Sequence, residues 1–489
     1  MSTPDERVHP SREDGVVATL SEVVGGPMGT RAARHPWWTP VRVLLLLTAV
    51  VFSLGLVQKA PCALTTGHDQ NWTYTHMCYT DLRPLYVPRG FAEAKWPYSG
   101  NAEVRARYET MEYPVGIAYW AWGASWITHW LNGSPSLAAR AAEPVDKLYG
   151  DPSVVKEMTI FTLVNAVGFG ALALLATWLL AKVNPRRPWD AAVFALSPTL
   201  VLAGLVNWDL IAVAAVAGAL WAWSRDRPLV AGLMIGLGTA IKLYPLFLLG
   251  AVAVIVIRER RYFDLWFASV GAVIGWAVLN GPPMVFQEAQ WRVFWTFNSD
   301  RPADLGSVWQ VIAQASGKTL SPHLINTWSW AIFAGWCLVV ALLGWKARRA
   351  TMAQLGFLIV MGFLVVNKVY SPQYVLWLLP LAALARPRWR DQIVWQACEV
   401  YYFCTIWWYL AGELAPAGGG NAGFYWLGIG VRVLGELYLA AVIIQEMYRR
   451  EPTRRSSALD RQQVDHGDPA GPDEGQRLEP GPYDVVPAQ

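Results

Sequence analysis

The stretch LVAGLMIGLGTAIKLYPLFLLGAVAVIVI, residues 229–257, carries a single charged side chain, Lys242, among nearly thirty residues, with Tyr244 and Pro245 close behind it. A lysine in such surroundings is costly unless it is paired or faces a polar cavity. A proline inside a helix removes a backbone donor and breaks the ladder. The stretch therefore reads as two short apolar helices meeting at a polar point, an arrangement tolerated in hydrocarbon only where protein or a cavity encloses it. That reading predicts an all-α polytopic membrane protein.

Composition agrees. Of 489 residues, 54% are hydrophobic and 16% charged, with 28 Trp, and the mean hydropathy is +0.26. A soluble chain of this size could not bury so much apolar surface in ordinary cores. Disorder, fibrous architecture and a cytosolic enzyme are excluded. Forty Lys and Arg against 36 Asp and Glu leave +4, too mild for a nucleic-acid partner, and no basic stripe interleaved with aromatics appears.

Apolar runs fall near 41–58, 112–131, 157–181, 190–204, 208–223, 229–241, 245–257, 263–280, 324–345, 351–367, 373–385, 391–411 and 425–447. Basic clusters punctuate them, among them Arg186 and Arg187, Arg225 and Arg227, Arg258 to Arg261, Lys346 to Arg349, and Arg386 to Arg390. Short basic loops stay cytoplasmic, so these mark the inner face. Twelve or thirteen transmembrane helices are expected. With thirteen the Arg-rich C-terminus would lie outside, and 112–131 is the candidate for a partly embedded, non-crossing helix. Residues 1–40 read as a cytoplasmic tail, 41–58 as a retained first helix rather than a cleaved leader, 41–447 as the membrane domain, and 448–489 as a disordered cytoplasmic tail. Long polar segments at 59–111 and 281–323 are expected outside.

With the basic clusters inside, the polar breaks gather on the opposite face. Asp81, in Cys78-Tyr79-Thr80-Asp81-Leu82-Arg83-Pro84-Leu85-Tyr86-Val87-Pro88-Arg89, is the candidate general base, since a carboxylate can take a proton as a hydroxyl oxygen attacks. Arg83 and Arg89 are candidate phosphate-binding cations, with Tyr86 as a sugar or acceptor contact. A surface ion pair in a loop is the alternative reading. Glu112 and Tyr113, before Pro114, suit sugar hydroxyls or serve as interface anchors. Asn207-Trp208-Asp209 places an ionisable group between two short runs, as a site element or as a helix cap. Lys242 and Tyr244, then Asn367, Lys368, Gln373 and Tyr374, repeat one chemistry: Lys-x-Tyr with a nearby Pro. Either lysine suits a lipid phosphate or snorkels to the boundary. Arg301 could grip a phosphate with its planar fork or pair with Asp300 or Asp304.

Cys62 and Cys78 share the first outer segment, where an oxidising compartment could join them. Cys337, Cys398 and Cys404 look like packing residues. No CxxC, HExxH, P-loop or dinucleotide fingerprint is present. His68 and His76 lack a partner set, so neither a metal nor another cofactor is expected.

Taken together, Tyr79-Thr80-Asp81-Leu82-Arg83, Glu112-Tyr113-Pro114, Asn207-Trp208-Asp209, Lys242-Leu243-Tyr244-Pro245 and Lys368-x-x-Ser371-Pro372-Gln373-Tyr374 resemble glycosyltransferase family 87 over about residues 41–447. These are integral membrane enzymes of GT-C fold, typified by actinobacterial polyprenyl-phosphate-mannose-dependent mannosyltransferases. The resemblance implies a catalytic Asp81 in the first extracytoplasmic loop. It also implies a polyprenyl-phosphate-sugar donor, a lipid or glycan acceptor, inversion at the anomeric carbon and a role in building the cell envelope from the plasma membrane. Many members carry a Gly-Gln-x-Asn run where this chain has Asn207-Trp208-Asp209. The rival class is a secondary transporter or lipid flippase, since broken helices also describe such folds. A non-catalytic lipid-binding scaffold would keep the cations without needing Asp81. The sugar, the acceptor and the oligomeric state are not legible.

Overall fold

A computed structural model describes residues 16–17, 37–64, 70–414 and 422–449. The expected tails at 1–40 and 448–489 lie almost wholly outside them. The protein is all-helical, 76% helix, with no strand among the described residues.

Helix α1, Pro40–Leu64, starts where the Thr39 hydroxyl accepts from the Arg42 backbone N–H, with proline at the first helical position, where no donor is lost. An irregular segment with short helical turns leads to α2, Val115–Leu131. Asp151 then caps α3, Pro152–Val183, by accepting from Ser153 N at 2.7 Å. Broken short helices between 188 and 203 lead to α4, Asp209–Trp223, α5, Pro228–Thr239, and α6, Leu248–Glu259. Next come α7, Tyr262–Phe286, α8, Glu288–Asp300, α9, Val308–Ser316, and α10, Pro322–Lys346. The bundle closes with α11, Met352–Val366, opened by a Thr351–Gln354 capping box, and with α12, Val375–Ala385, α13, Trp389–Leu410, and α14, Gly423–Tyr448.

Helices α1, α3, α7, α10 and α14 are each long and apolar enough to cross a bilayer, while α4, α5, α11 and α12 are shorter apolar pieces. The short pieces meet where expected, at Asn207–Asp209, Lys242–Pro245 and Asn367–Gln373. Each break turns the chain at one end of the bundle. The basic clusters meet at the other end. Arg225 donates to the Lys182 carbonyl, Arg261 pairs with Asp226 at 3.0 Å, Arg258 donates to the Arg348 carbonyl, and Arg386 pairs with Glu446.

Helix α2 does not join that alternation. Its first turn lies at the polar end, where Gly116 N donates to Ala240 O at 2.8 Å. Trp120 then reaches Asn165, midway along α3, and Asn132 at its far end reaches Ser153 and Glu157 in the first turns of α3. Since α3 ends among the basic clusters, α2 begins and ends on the opposite side. Glu446, near the end of α14, pairs with Arg386 and so lies with the basic clusters.

Two expectations need correction. The segment read as loop from 59 starts later, because α1 continues through Leu64. The segment 281–323 is not a loop. It holds the end of α7 and the helices α8 and α9. Helix α8 pairs Glu288 with Arg292 four residues on, and Ser307 and Gly317, the latter at φ +65°, cap α9.

Helices α5 and α7 show how small residues shape the bundle. Gly232 and Gly236 face Gly271 and Gly275, and a Cβ on Gly232 or Gly236 would fall 1.9 or 2.0 Å from the carbonyl oxygen of Ala268 or Ala272. In an apolar environment, close backbone approach at small residues drives helix association. The pairing carries Lys242, just beyond α5, to the polar end.

Candidate active site

The polar breaks and the first irregular segment enclose one cavity of about 540 Å³. Asp81 lies in its wall, partly exposed to it. The backbone N–H of Asp81 donates to Val206 O at 2.8 Å, and the neighbouring Thr80 hydroxyl donates to Leu205 O at 2.8 Å. These two bonds pin the loop to the turn that precedes α4. Just upstream, a Cys62–Cys78 disulfide ties the same loop to the end of α1.

Three groups orient the carboxylate. The Tyr79 hydroxyl donates to Oδ1 at 2.8 Å, Asn207 Nδ2 donates to Oδ2 at 2.6 Å, and the Tyr113 hydroxyl donates to Oδ2 at 3.4 Å. Asn207 also donates to the Tyr113 oxygen at 2.9 Å, while its own Oδ1 accepts from Lys242 Nζ at 3.4 Å. Burial pushes the Asp81 carboxyl above the usual carboxylate range. The bonds from Tyr79 and Asn207 and the charge of Lys242 pull it back, and Asp209 adds to the rise. Burial and the neighbouring Asp81 hold Tyr79 and Tyr113 protonated, so both phenols stay donors.

Lys242 forms an ion pair with Asp209 at 3.4 Å and lies 5.3 Å from the centre of the Tyr113 ring. Asp209, fully buried, accepts from Trp377 Nε1 at 2.6 Å. On the other side of the cavity, Lys368 Nζ donates to Ser299 O at 2.9 Å and Asn326 Oδ1 at 2.7 Å. Burial, and secondarily Arg301, push its ammonium below the ordinary lysine range. Arg301 itself is engaged with Asp304.

Asp81, Glu112, Tyr113, Asn207, Lys242, Arg301, Asn367, Lys368, Gln373 and Tyr374 all line the cavity. Five expected residues do not. Arg83 points back to Ala63 O at 3.0 Å and to Thr159, because the end of α1 offers it an open carbonyl. Arg89 pairs with Glu109 and Glu112, both at 2.7 Å, so it supports the wall from behind. Tyr86 is buried and donates to Glu157 at 2.8 Å, in a cluster where Arg140 also holds that carboxylate. Asp209 and Tyr244 stand behind Lys242 and Trp377. The Tyr244 ring stacks on Trp377 at 4.6 Å.

Sequence reasoning passed over Tyr79, Ser299, Asn326 and the aromatic arm of the cavity, which includes Phe294, Phe297, Trp330 and Phe363. Tyr79 stands two residues before Asp81, and that spacing was the available signal. The others come from helices α8, α10 and α11, whose place beside the polar breaks no local pattern announces.

An oriented carboxylate, two buried lysines and an apolar arm in one cavity suit a substrate with hydroxyls, an anionic group and a hydrophobic tail. No curated protein matches the chain significantly. The sequence model of glycosyltransferase family 87 matches residues 152–367, from the start of α3 to the polar turn after α11. That region is similar to glycosyltransferase family 87, and the likeness supports a membrane glycosyltransferase.

Proposed function

We propose that the protein transfers a hexose, mannose in the favoured reading, from a polyprenyl-phosphate-sugar donor to a lipid or glycan acceptor. The reaction takes place on the extracytoplasmic face of the plasma membrane, with inversion. Asp81 is the general base. The observation that carries this is the way Asp81 is held: Asn207 and Tyr113 occupy Oδ2, while among the described residues Oδ1 receives only the bond from Tyr79. A carboxylate oxygen has two lone pairs, so Oδ1 keeps one for an acceptor hydroxyl.

The acceptor oxygen attacks the anomeric carbon as its proton passes to Asp81. The bond from that carbon to the phosphate oxygen breaks, and the electron pair leaves with polyprenyl phosphate. The transition state has oxocarbenium character, as in other glycosyl transfers. A phosphate is a stable leaving group, so no acid is required. Charge growing on it is met by preorganised cations, Lys368 and Lys242, with Arg301 as a third. The Phe and Trp arm accommodates the prenyl chain.

The test is transfer by purified protein from radiolabelled polyprenyl-phosphate-mannose to extracted envelope lipids. Asp81→Asn is expected to abolish the labelled product while donor binding persists. Wild-type rates in that variant would overturn the assignment of the base.

A further inference from the structure

Lys59 lies in α1, one turn before Cys62, and is 1% exposed. A buried lysine without a counter-ion is costly, and its partner must be sought. Among the described residues no carboxylate lies within ion-pair distance of it. Its Nζ donates to the Met77 carbonyl at 3.2 Å and sits 5.4 and 6.0 Å from the ring centres of Phe403 and Trp407 on α13. The carboxylate whose charge reaches it is Asp81.

The charge count around Asp81 explains this placement. Lys242 is already paired with Asp209, so the Asp81 carboxylate has no direct counter-ion. Lys368, also buried, is held by Ser299 O and Asn326 Oδ1, and Lys59 is a further buried cation. It also grips the backbone that presents Asp81. Met77 O accepts from Gln58 Nε2 at 2.6 Å as well as from Lys59, and Met77 is held at φ +54°. Two residues on, Tyr79 packs on the Trp407 ring at 5.3 Å and donates to Asp81.

We infer that Lys59 is a positioning residue for Asp81. Its buried charge favours the ionised carboxylate, and its bond to Met77 O fixes the turn leading to Tyr79 and Asp81. This rests on the reading of Asp81 as the base. The groups facing Asp81 are Tyr79, Tyr113, Asn207, Lys242 and Asp209, with Tyr374 also within reach of its field. Around Lys59 are Met77 O and the two rings of α13. Arg83 sits on the carbonyl of Ala63, one turn along α1. Glu399, one turn from Phe403, is committed to Arg432 at 3.0 Å. Of these, Lys242 also favours the ionised Asp81, and Lys59 adds to it.

The experiment is the pH profile of kcat/KM for wild type, Lys59→Met, Lys59→Arg and Asp81→Asn, with thermal melts to show that each is folded. Removing an opposite charge raises a carboxyl's pKa. In Lys59→Met the acid limb should therefore move to higher pH, with the rate largely recovered at high pH and donor KM unchanged. Lys59→Arg should keep the wild-type limb. An unmoved limb in folded Lys59→Met overturns the inference, as does an equal, pH-independent loss in both Lys59 variants. Should Lys59→Met not fold, Lys59→Gln, which retains a donor for Met77 O, gives the same reading. Full activity in Asp81→Asn would instead remove the base reading itself, which separates the two failures.

Discussion

Asn207 Nδ2 stands 2.6 Å from Asp81 Oδ2, while Asn207 Oδ1 accepts from Lys242 and from the Trp208 backbone N–H. One amide thus couples the carboxylate in the first irregular segment to the lysine beyond α5. It does so from a turn whose own backbone, at Val206, receives the Asp81 N–H. Replacing Asn207 by Ala removes the strut without adding bulk. Catalytic groups displaced by about 1 Å lose roughly 10²-fold in rate, so kcat should fall by that order. Donor affinity, carried by other residues, should change little. Initial rates at saturating acceptor, beside a binding isotherm for the donor, check this.

The pH dependence follows from the same environment. Burial, the largest influence, raises the Asp81 carboxyl above its ordinary value. A base must be ionised to act, so activity is present above the folded value and lost as pH falls through it. The acid limb should therefore lie above the usual carboxylate range. Stability runs the opposite way. The folded carboxyl binds its proton more tightly than the unfolded chain does, so this group opposes folding once both forms are ionised, and protonation relieves that cost. Asp81→Asn should then be inactive yet melt no lower than wild type at neutral pH. A clear drop in its melting temperature would contradict the account.

The disulfide acts on the same loop. Cys62 and Cys78 are separated by 16 residues, and closing a loop of that size stabilises the fold by about 3 kcal/mol in the chain-entropy model. Cys62→Ser with Cys78→Ser should lower the melting temperature accordingly. Transfer activity should fall further than global stability accounts for, since Cys78 directly precedes Tyr79. Melts and rates with and without a strong reductant measure both effects on the wild-type chain.

How much of this was legible varies with the range of the interaction. Lys242 in its apolar surroundings, and the Asn207 and Lys368 breaks, announce themselves because an isolated polar group in hydrocarbon has few physical outcomes. Asp81 stood out as a carboxylate in a polar loop. Arg83 and Arg89 looked equally suitable, and only the three-dimensional positions of Ala63 O, Glu109 and Glu112 decide that they turn away. Lys59 was counted with the outer loop, since a lysine ends an apolar run on paper. Its burial depends on rings more than three hundred residues downstream in α13. The Arg432 cluster was hidden for a like reason. Its guanidinium lies over Tyr370 at 3.4 Å and pairs with Glu399 on a neighbouring helix.

The Lys242–Asp209 pair separates structural from catalytic need. Its side chains are 8% and 0% exposed, so Lys242→Met leaves a buried carboxylate unpaired, a change that costs about 3–5 kcal/mol in comparable cases. Adding Asp209→Asn removes the stranded charge while keeping an acceptor for Trp377, and should restore most of the lost stability. Activity should not return, because the cavity still lacks the cation that balances Asp81 through Asn207 and meets the departing phosphate. Thermal melts and transfer rates of the two single variants and the double variant form the cycle. Recovery of both quantities together in the double variant would reduce Lys242 to a structural counter-ion of Asp209.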